Sequence, residues 1–347
     1  MLAAPSRILV AAAFVAAAWF SFASSPAVAE DWTTSPQIRE LYEKAKAEGE
    51  VNYWGQVEYD LVWAAEPFNK RFPGIKVNVV ADPQGPTKMI AESRSGKISA
   101  DVTQQTLGSV LEVQKRGLLA NIDWSLAGVE QRNVLLDGQA GAMHNFVYSI
   151  LYANGKVVPA DLPKTWEDLL DPKWKGKMVI SDFLFPRLMG FLALEWGPDR
   201  TEQWGHDLID KQNILVTNAP RENFLKTGER LLAIAEGVQA AGQYKREGVD
   251  TGYVIMNLIP AGQFLIAALK DSQHPNAGKL MALWLASDEG KALRAKLVDE
   301  PDIRPGSKAD LAAEIQKDGA KVLFEDMANF NERAEYYKRF SPMTRGM

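Results

Sequence analysis

There is no cysteine in this 347-residue sequence. That excludes disulfides as a source of stability, and it removes thiolate metal sites and cysteine nucleophiles. Histidine is nearly as scarce, with three in all: His144, His206 and His274. His206 stands in a polar helical stretch, EQWGHDLID, and His274 in a loop before Pro275, so neither has a partner at metal-ligand or catalytic spacing. HExxH, GxSxG and GxGxxG are absent. Acidic pairs such as Asp207 and Asp210 read as a solvated helix face, so an enzyme is not expected. Basic residues form no block, and 39 of them stand against 44 acidic ones, which argues against nucleic acid or anionic lipid as a partner.

Long apolar runs are also missing after the amino terminus, where GFLALEW and FLIAALK end quickly in charge or Gly/Pro. The first residues differ: Arg7 precedes an apolar run from Ile8 to about Ala23, and Ala27-Val28-Ala29 forms an A-x-A site before Glu30. The run is shorter than the roughly 20 residues that span a bilayer, so it reads as a secretory signal peptide cut after Ala29, with the mature protein soluble in the periplasm.

What is present is a hydrophobic content of 46%, ample for a sizeable core in two domains or in one that the chain crosses repeatedly. Asp31 to Gly49 reads as a surface helix, VNYWGQ as a strand, VWAAEPFNKRF as a helix despite Pro67, KVNVVA as a strand and KMIAESRSG as a helix closed by Gly96. ISADVTQQT reads as a strand running into a polar turn, and SVLEVQKRGLLANI as a helix with a glycine stop. This alternation predicts an α/β fold with a mostly parallel sheet covered by helices on both faces. Thr165 is a good N-cap with Asp168 in a capping-box position, and Trp166, Trp174 and Trp284 sit at packing positions.

The stretch from Leu151 to Asp182, LYANGKVVPADLPKTWEDLLDPKWKGKMVISD, joins a strand, a Pro-rich loop, a short helix and a second strand. With Leu-Leu after Arg116-Gly117, a strand ending at Asn218, and AALKDSQHPNAGKLMALWLASDEG from Ala267, it resembles type II periplasmic solute-binding proteins of ABC importers, in the branch of the ferric-ion binders. The resemblance covers nearly the whole mature chain. It implies two α/β lobes, each a mixed, mostly parallel sheet flanked by helices, joined by two crossing strands near Phe146 to Asn154 and Tyr253 to Gly262. Lobe one would comprise residues 30–145 and 262–307, lobe two 146–261, and residues 308–347 would be C-terminal helices packing on both. A monomer that binds a small solute in the cleft and presents it to permease subunits by hinge closure is expected, with no cofactor and no metal.

Ferric binders carry a histidine, a glutamate and paired tyrosines. The matching positions here are Val57, the Thr103–Thr106 run, Val238 and Gln239. Neutral amides cannot replace the anionic oxygen that ferric iron prefers. A ferric binder with unusual ligands, such as Tyr59 or Tyr244, is the alternative. Ligand contacts are expected in the loops beyond strand ends. They are Trp54 as a cleft wall; Gln56, Gln104, Gln105 and Thr106 as hydrogen-bonding groups; Phe185 (with Phe183) as an aromatic pocket mouth or core; and Arg187 as an anion partner or a solvated helix residue. Asn218 is a cleft residue or an N-cap, Glu236 a partner for a ligand amine, and Asn257 a polar interruption of an apolar crossing strand. Together they suit an organic anion with a flat or apolar part.

Overall fold

The computed structural model describes residues 31–299, 302–307 and 309–344; the expected leader, residues 1–29, lies outside them. The first helix, Pro36–Glu48, starts where Ser35 Oγ accepts from the Ile38 N–H and Pro36 supplies a ready-made helical φ. It stops at Gly49, whose φ of 80° suits a residue without a Cβ. Its Ile38 and Ala45 are buried, and the polar remainder faces outward.

The strands of the described residues are β1 (Glu50–Gly55), β2 (Lys76–Ala81), β3 (Val102–Thr106), β4 (Val134–Leu135), β5 (Ala140–Ala153), β6 (Met178–Ile180), β7 (Leu215–Val216), β8 (Leu232–Gly237), β9 (Thr251–Val254), β10 (Leu258–Ala268) and β11 (Lys321–Phe324). They form one mixed sheet in the order β2-β1-β3-β10-β5-β8-β6-β7, with β11 beside β10 and β4 and β9 beside β5. Parallel pairing holds where strands alternate with helices, as in β1 with β2 and β3, or β6 with β7 and β8. Every ladder of β5 is antiparallel, as is that of β10 with β3, so the sheet is less parallel than strand–helix alternation alone suggests.

Strand β5 divides the sheet into two halves. Its residues up to Val147 pair with β4 and β10, and those from Tyr148 onward pair with β8 and β9. The other crossing is the segment between β9 and β10, a bend rather than a continuous strand. In the first half, successive β1 residues serve opposite faces: Val51 and Tyr53 join one core cluster with Trp284 and Phe68, Trp54 another with Met89 and Leu265. In the second half, helix Leu184–Trp196 packs a core of Phe185, Leu188 and Leu192 against Trp166 and Trp204.

The capping box at Thr165 is present: Thr165 Oγ1 accepts from Asp168 N–H at 3.2 Å, and Asp168 Oδ2 accepts from Thr165 N–H at 2.9 Å. Trp166 is fully buried and its Nε1 donates to Leu258 O, tying the short helix to the start of β10. The carboxyl-terminal region differs from an all-helical expectation. Between helices Asp310–Asp318 and Phe330–Phe340, KVLF enters the sheet as β11 beside β10. Val322, Leu323 and Phe324 are too short an apolar run to distinguish strand from helix by periodicity.

Candidate functional site

The carboxyl ends of β1 and β3 point toward the second half, and that of β8 points back, since β8 runs antiparallel to β5. Both edges therefore meet at the crossing. Gly55 ends β1, and its missing side chain leaves room for Leu61, whose Cδ2 would lie 2.5 Å from an added Cβ; packing explains this glycine, and no ligand is needed. Gln56 is half-buried and makes no hydrogen bond with a described residue. The expected polar turn at Thr103–Thr106 is the body of β3, because β10 and β1 pair with it on both sides. Gln104 is buried: it accepts from Tyr53 Oη and from Arg294 Nη1 (3.2 Å), and its amide faces His144 Nε2 at 3.4 Å. Arg294 in turn donates to Asp60 O at 3.0 Å. Gln105 is fully buried on the opposite face with neither amide atom paired, and Thr106 is half-buried, donating to Ser109. Trp54 is core and not an open cleft wall, with Lys88 Nζ 4.7 Å from its ring centroid.

At the edge of the second half, Ser181 follows β6 and its Oγ accepts from Phe183 N–H. Phe183 is exposed, whereas Phe185 is fully buried edge-on to Trp204, so the pocket-mouth role expected of Phe185 is not available to it. On a helix the two rings are about 200° apart, and only one can face outward. Arg187 lies one turn after Phe183. Its guanidinium sits 4.0 Å over the Phe183 ring and 5.5 Å from that of Tyr337, and it makes no hydrogen bond or ion pair with a described residue. Nearby, Arg333 bonds Glu325 Oε1 through Nη2 at 2.6 Å and lies 3.8 Å over Phe191, leaving Nε and Nη1 without partners. Burial holds Arg333 below the usual arginine value, which Glu325 and Tyr148 oppose and Arg187 reinforces. Tyr148, on β5 between the halves, is pushed up to about 12, mainly by burial, so its hydroxyl keeps its proton. Helix Phe330–Phe340 thus brings a second arginine and Tyr337 to Arg187; in sequence, residues 308–347 read only as C-terminal helices packing on the lobes.

The remaining candidates separate. Asn218 is exposed and donates to Asp182 Oδ2 at 2.8 Å, at the same edge as Ser181, and it caps no helix. Glu236 is buried and already held by Arg221 Nε at 2.6 Å, so it is not left for a ligand amine. Asn257 lies exposed in the bend before β10 and not within a strand. Tyr244 is buried, and burial followed by the charge of Glu236 pushes its hydroxyl well up, away from phenolate. Tyr59 is 45% exposed on the first half. Among the described residues no group of three or more His, Asp or Glu could hold a metal ion.

A cavity of about 970 Å³ is lined from both halves, by Val238, Ala241, Gly242 and Tyr253 on one side and by Gly128, Val129 and helix Asp288–Val298 on the other, together with residues around Arg304. None of the ten residues expected at the site lines it.

A family model of bacterial extracellular solute-binding proteins matches residues 63–322. The chain belongs to this family. No curated protein sequence matches it. Among solved structures, iron-bound HitA from Pseudomonas aeruginosa is similar at 21% identity and a TM-score of 0.67, covering 86% of this chain and 99% of that one. An ABC transporter substrate-binding protein from Bradyrhizobium japonicum USDA 110 gives 16% and 0.70 over 86% and 99% of the two chains. Apo ferric ion-binding protein A from Pasteurella haemolytica gives 19% and 0.66 over 85% and 96%. The fold is therefore the type II periplasmic-binding-protein fold, and the family is one of extracellular solute-binding proteins.

Proposed function

We propose that this solute-binding protein captures a small organic anion between the two halves of its sheet and delivers it to the permease subunits of an ABC importer by hinge closure. The observation that carries the reading is Arg187: a half-buried guanidinium packed on Phe183, with the Tyr337 ring also near it, beside a second arginine, and without an ion-pair partner. A cation so placed is favourable once an anion completes it, and a planar guanidinium held on rings is oriented for a bidentate pair with a carboxylate or phosphoryl group. Phe183 gives a flat or apolar part of the solute a surface to cover, and Asn218 and Gln56 supply neutral hydrogen bonds from the two edges. Export with cleavage after Ala29, as a monomer, belongs to the same reading; amino-terminal sequencing of the periplasmic protein should begin at Glu30.

Some structural neighbours are iron-binding proteins, and iron is the competing solute. Val57, Gln104, Val238 and Gln239 offer no anionic oxygen to a trivalent ion, so iron titration should produce no charge-transfer band, and a stoichiometric coloured complex would restore the iron reading. The solute itself is found by thermal-shift screening against carboxylates, phosphate esters, aromatic acids, amines and metals, because a ligand of the folded state alone raises the melting temperature. Calorimetry on Arg187→Ala then decides the site: unchanged affinity for the screened anion would place it elsewhere.

A further inference from the structure

The 970 Å³ cavity contains none of the groups just assigned to the solute, yet it has its own anchor. Arg304 lines it from the loop after helix Asp288–Val298, and its side chain is only 9% exposed. It uses Nε on Asp302 Oδ1 at 2.7 Å, while Nη1 and Nη2 are buried with no protein partner among the described residues. Lys291, on the cavity wall, holds the other oxygen of the same carboxylate at 3.3 Å. Burial alone would raise Asp302, but Arg304 and Lys291 overcome that and keep it ionised, below the usual carboxylate value. Asp288 also attracts Lys291, so two carboxylates face these two cations, and what Arg304 retains is two unused donors. A buried guanidinium with unpaired nitrogens is costly unless a ligand completes it.

We propose that this cavity is a second binding site, for a small aliphatic carboxylate anchored on Arg304. The two terminal nitrogens form a planar fork that fits the two oxygens of a carboxylate. One carboxylate completes the two free nitrogens of Arg304, and the acidic lining at Glu130, Asp288, Asp299 and Asp310 disfavours a second negative group. Ala292, Ala241 and Val238 give the walls a short apolar lining suited to an alkyl chain and not to a sugar. Ala292 belongs to the first half and Ala241 to the second, and Arg246 of the second half already meets Asp299 of the first at 3.2 Å across the cavity's edge. An occupant therefore braces the halves against each other, apart from whatever binds at Arg187.

The test is calorimetry with butyrate, hexanoate and octanoate on the mature protein, with hexylamine and inorganic phosphate as the other arms. Wild type and Arg187→Ala should bind a member of the carboxylate series equally well and bind neither hexylamine nor phosphate. Arg304→Gln should weaken that binding about tenfold to a hundredfold. Ala292→Phe fills the cavity from an exposed helix position without touching the Arg304–Asp302 pair, and should weaken it similarly even if Arg304→Gln fails to fold. No binding of any carboxylate to wild type, undiminished binding to either cavity variant, or equal binding of phosphate would overturn the proposal. Loss of carboxylate binding in Arg187→Ala alone would also overturn it while leaving the Arg187 reading intact.

Discussion

The two edges that face each other across the crossing are built to opposite ends. At the first, Tyr53, Gln104, Arg294, Asp60 and His144 are buried in one connected set, with Gln105 and Gln56 outside it. At the second, Phe183 and Asn218 are exposed, and Arg187 is stacked on rings with no ion-pair partner. A polar residue at a strand's end thus serves the fold when its partners come from the same half. It is left for a ligand when the fold provides none.

The contrast can be broken most severely at Arg294, which is 1% exposed and bonded to Gln104 and Asp60. Arg294→Ala should cost about 3–5 kcal/mol, because it leaves buried acceptors and Asp60 uncompensated. Denaturant unfolding measures it, and an unchanged midpoint would show that the first edge is not held by this network. At the second edge, Arg187→Ala should barely alter the ligand-free protein, by about 0.5 kcal/mol or less, yet weaken solute binding by about 1.5–3 kcal/mol. Calorimetry beside a melting curve separates the two effects, and a large loss of stability with no loss of affinity would make Arg187 structural.

Acidification sharpens the comparison further. Burial, with Arg294 and Arg304 adding to it, holds His144 well below its ordinary 6.5. Below about pH 6.5 the unfolded chain therefore takes up a proton that the folded chain refuses, and stability falls with pH by up to about 1.4 kcal/mol per unit until the folded value is reached. Above that range the group contributes no slope. Melting curves from pH 7.5 to 5 should show the decline in wild type and a shallower one in His144→Gln; identical slopes would remove His144 from the account. The smallest expected effect lies away from both edges, at the capping box. Thr165→Ala should lower stability by about 1 kcal/mol and leave binding unchanged, and a loss of affinity would mean that the short helix positions the site.

Much of the chain was legible from local pattern. Gly49 marks the end of the first helix, although its start at Ser35 lies four residues after the Asp31 expected; VNYW places β1, and Thr165 with Asp168 marks its helix, because caps and periodicity act over a few residues. The tryptophans read as packing residues are buried at Trp166, Trp174 and Trp284. Site residues were less legible. Phe185 and Phe183 are both aromatic and two positions apart, but the helix turns one into the core. Glu236 carries no sign in sequence that Arg221 will neutralise it. His274, without a partner at motif spacing, meets Asp101 at 2.8 Å from 173 residues away and helps fix the start of helix Pro275–Ala286.

By itself the sequence determined the fold class, the family and the absence of thiol chemistry, since these rest on composition, short-range pattern and the order of motifs. Tertiary structure alone decided which polar groups remain for a ligand. Helix Phe330–Phe340 brings Arg333 and Tyr337 to Arg187, and a loop after helix Asp288–Val298 brings Arg304 to a cavity that both halves line. Whether a side chain is paired can depend on partners far along the chain, as Gln104 does on Arg294, and no local pattern records where a long chain will bring them together.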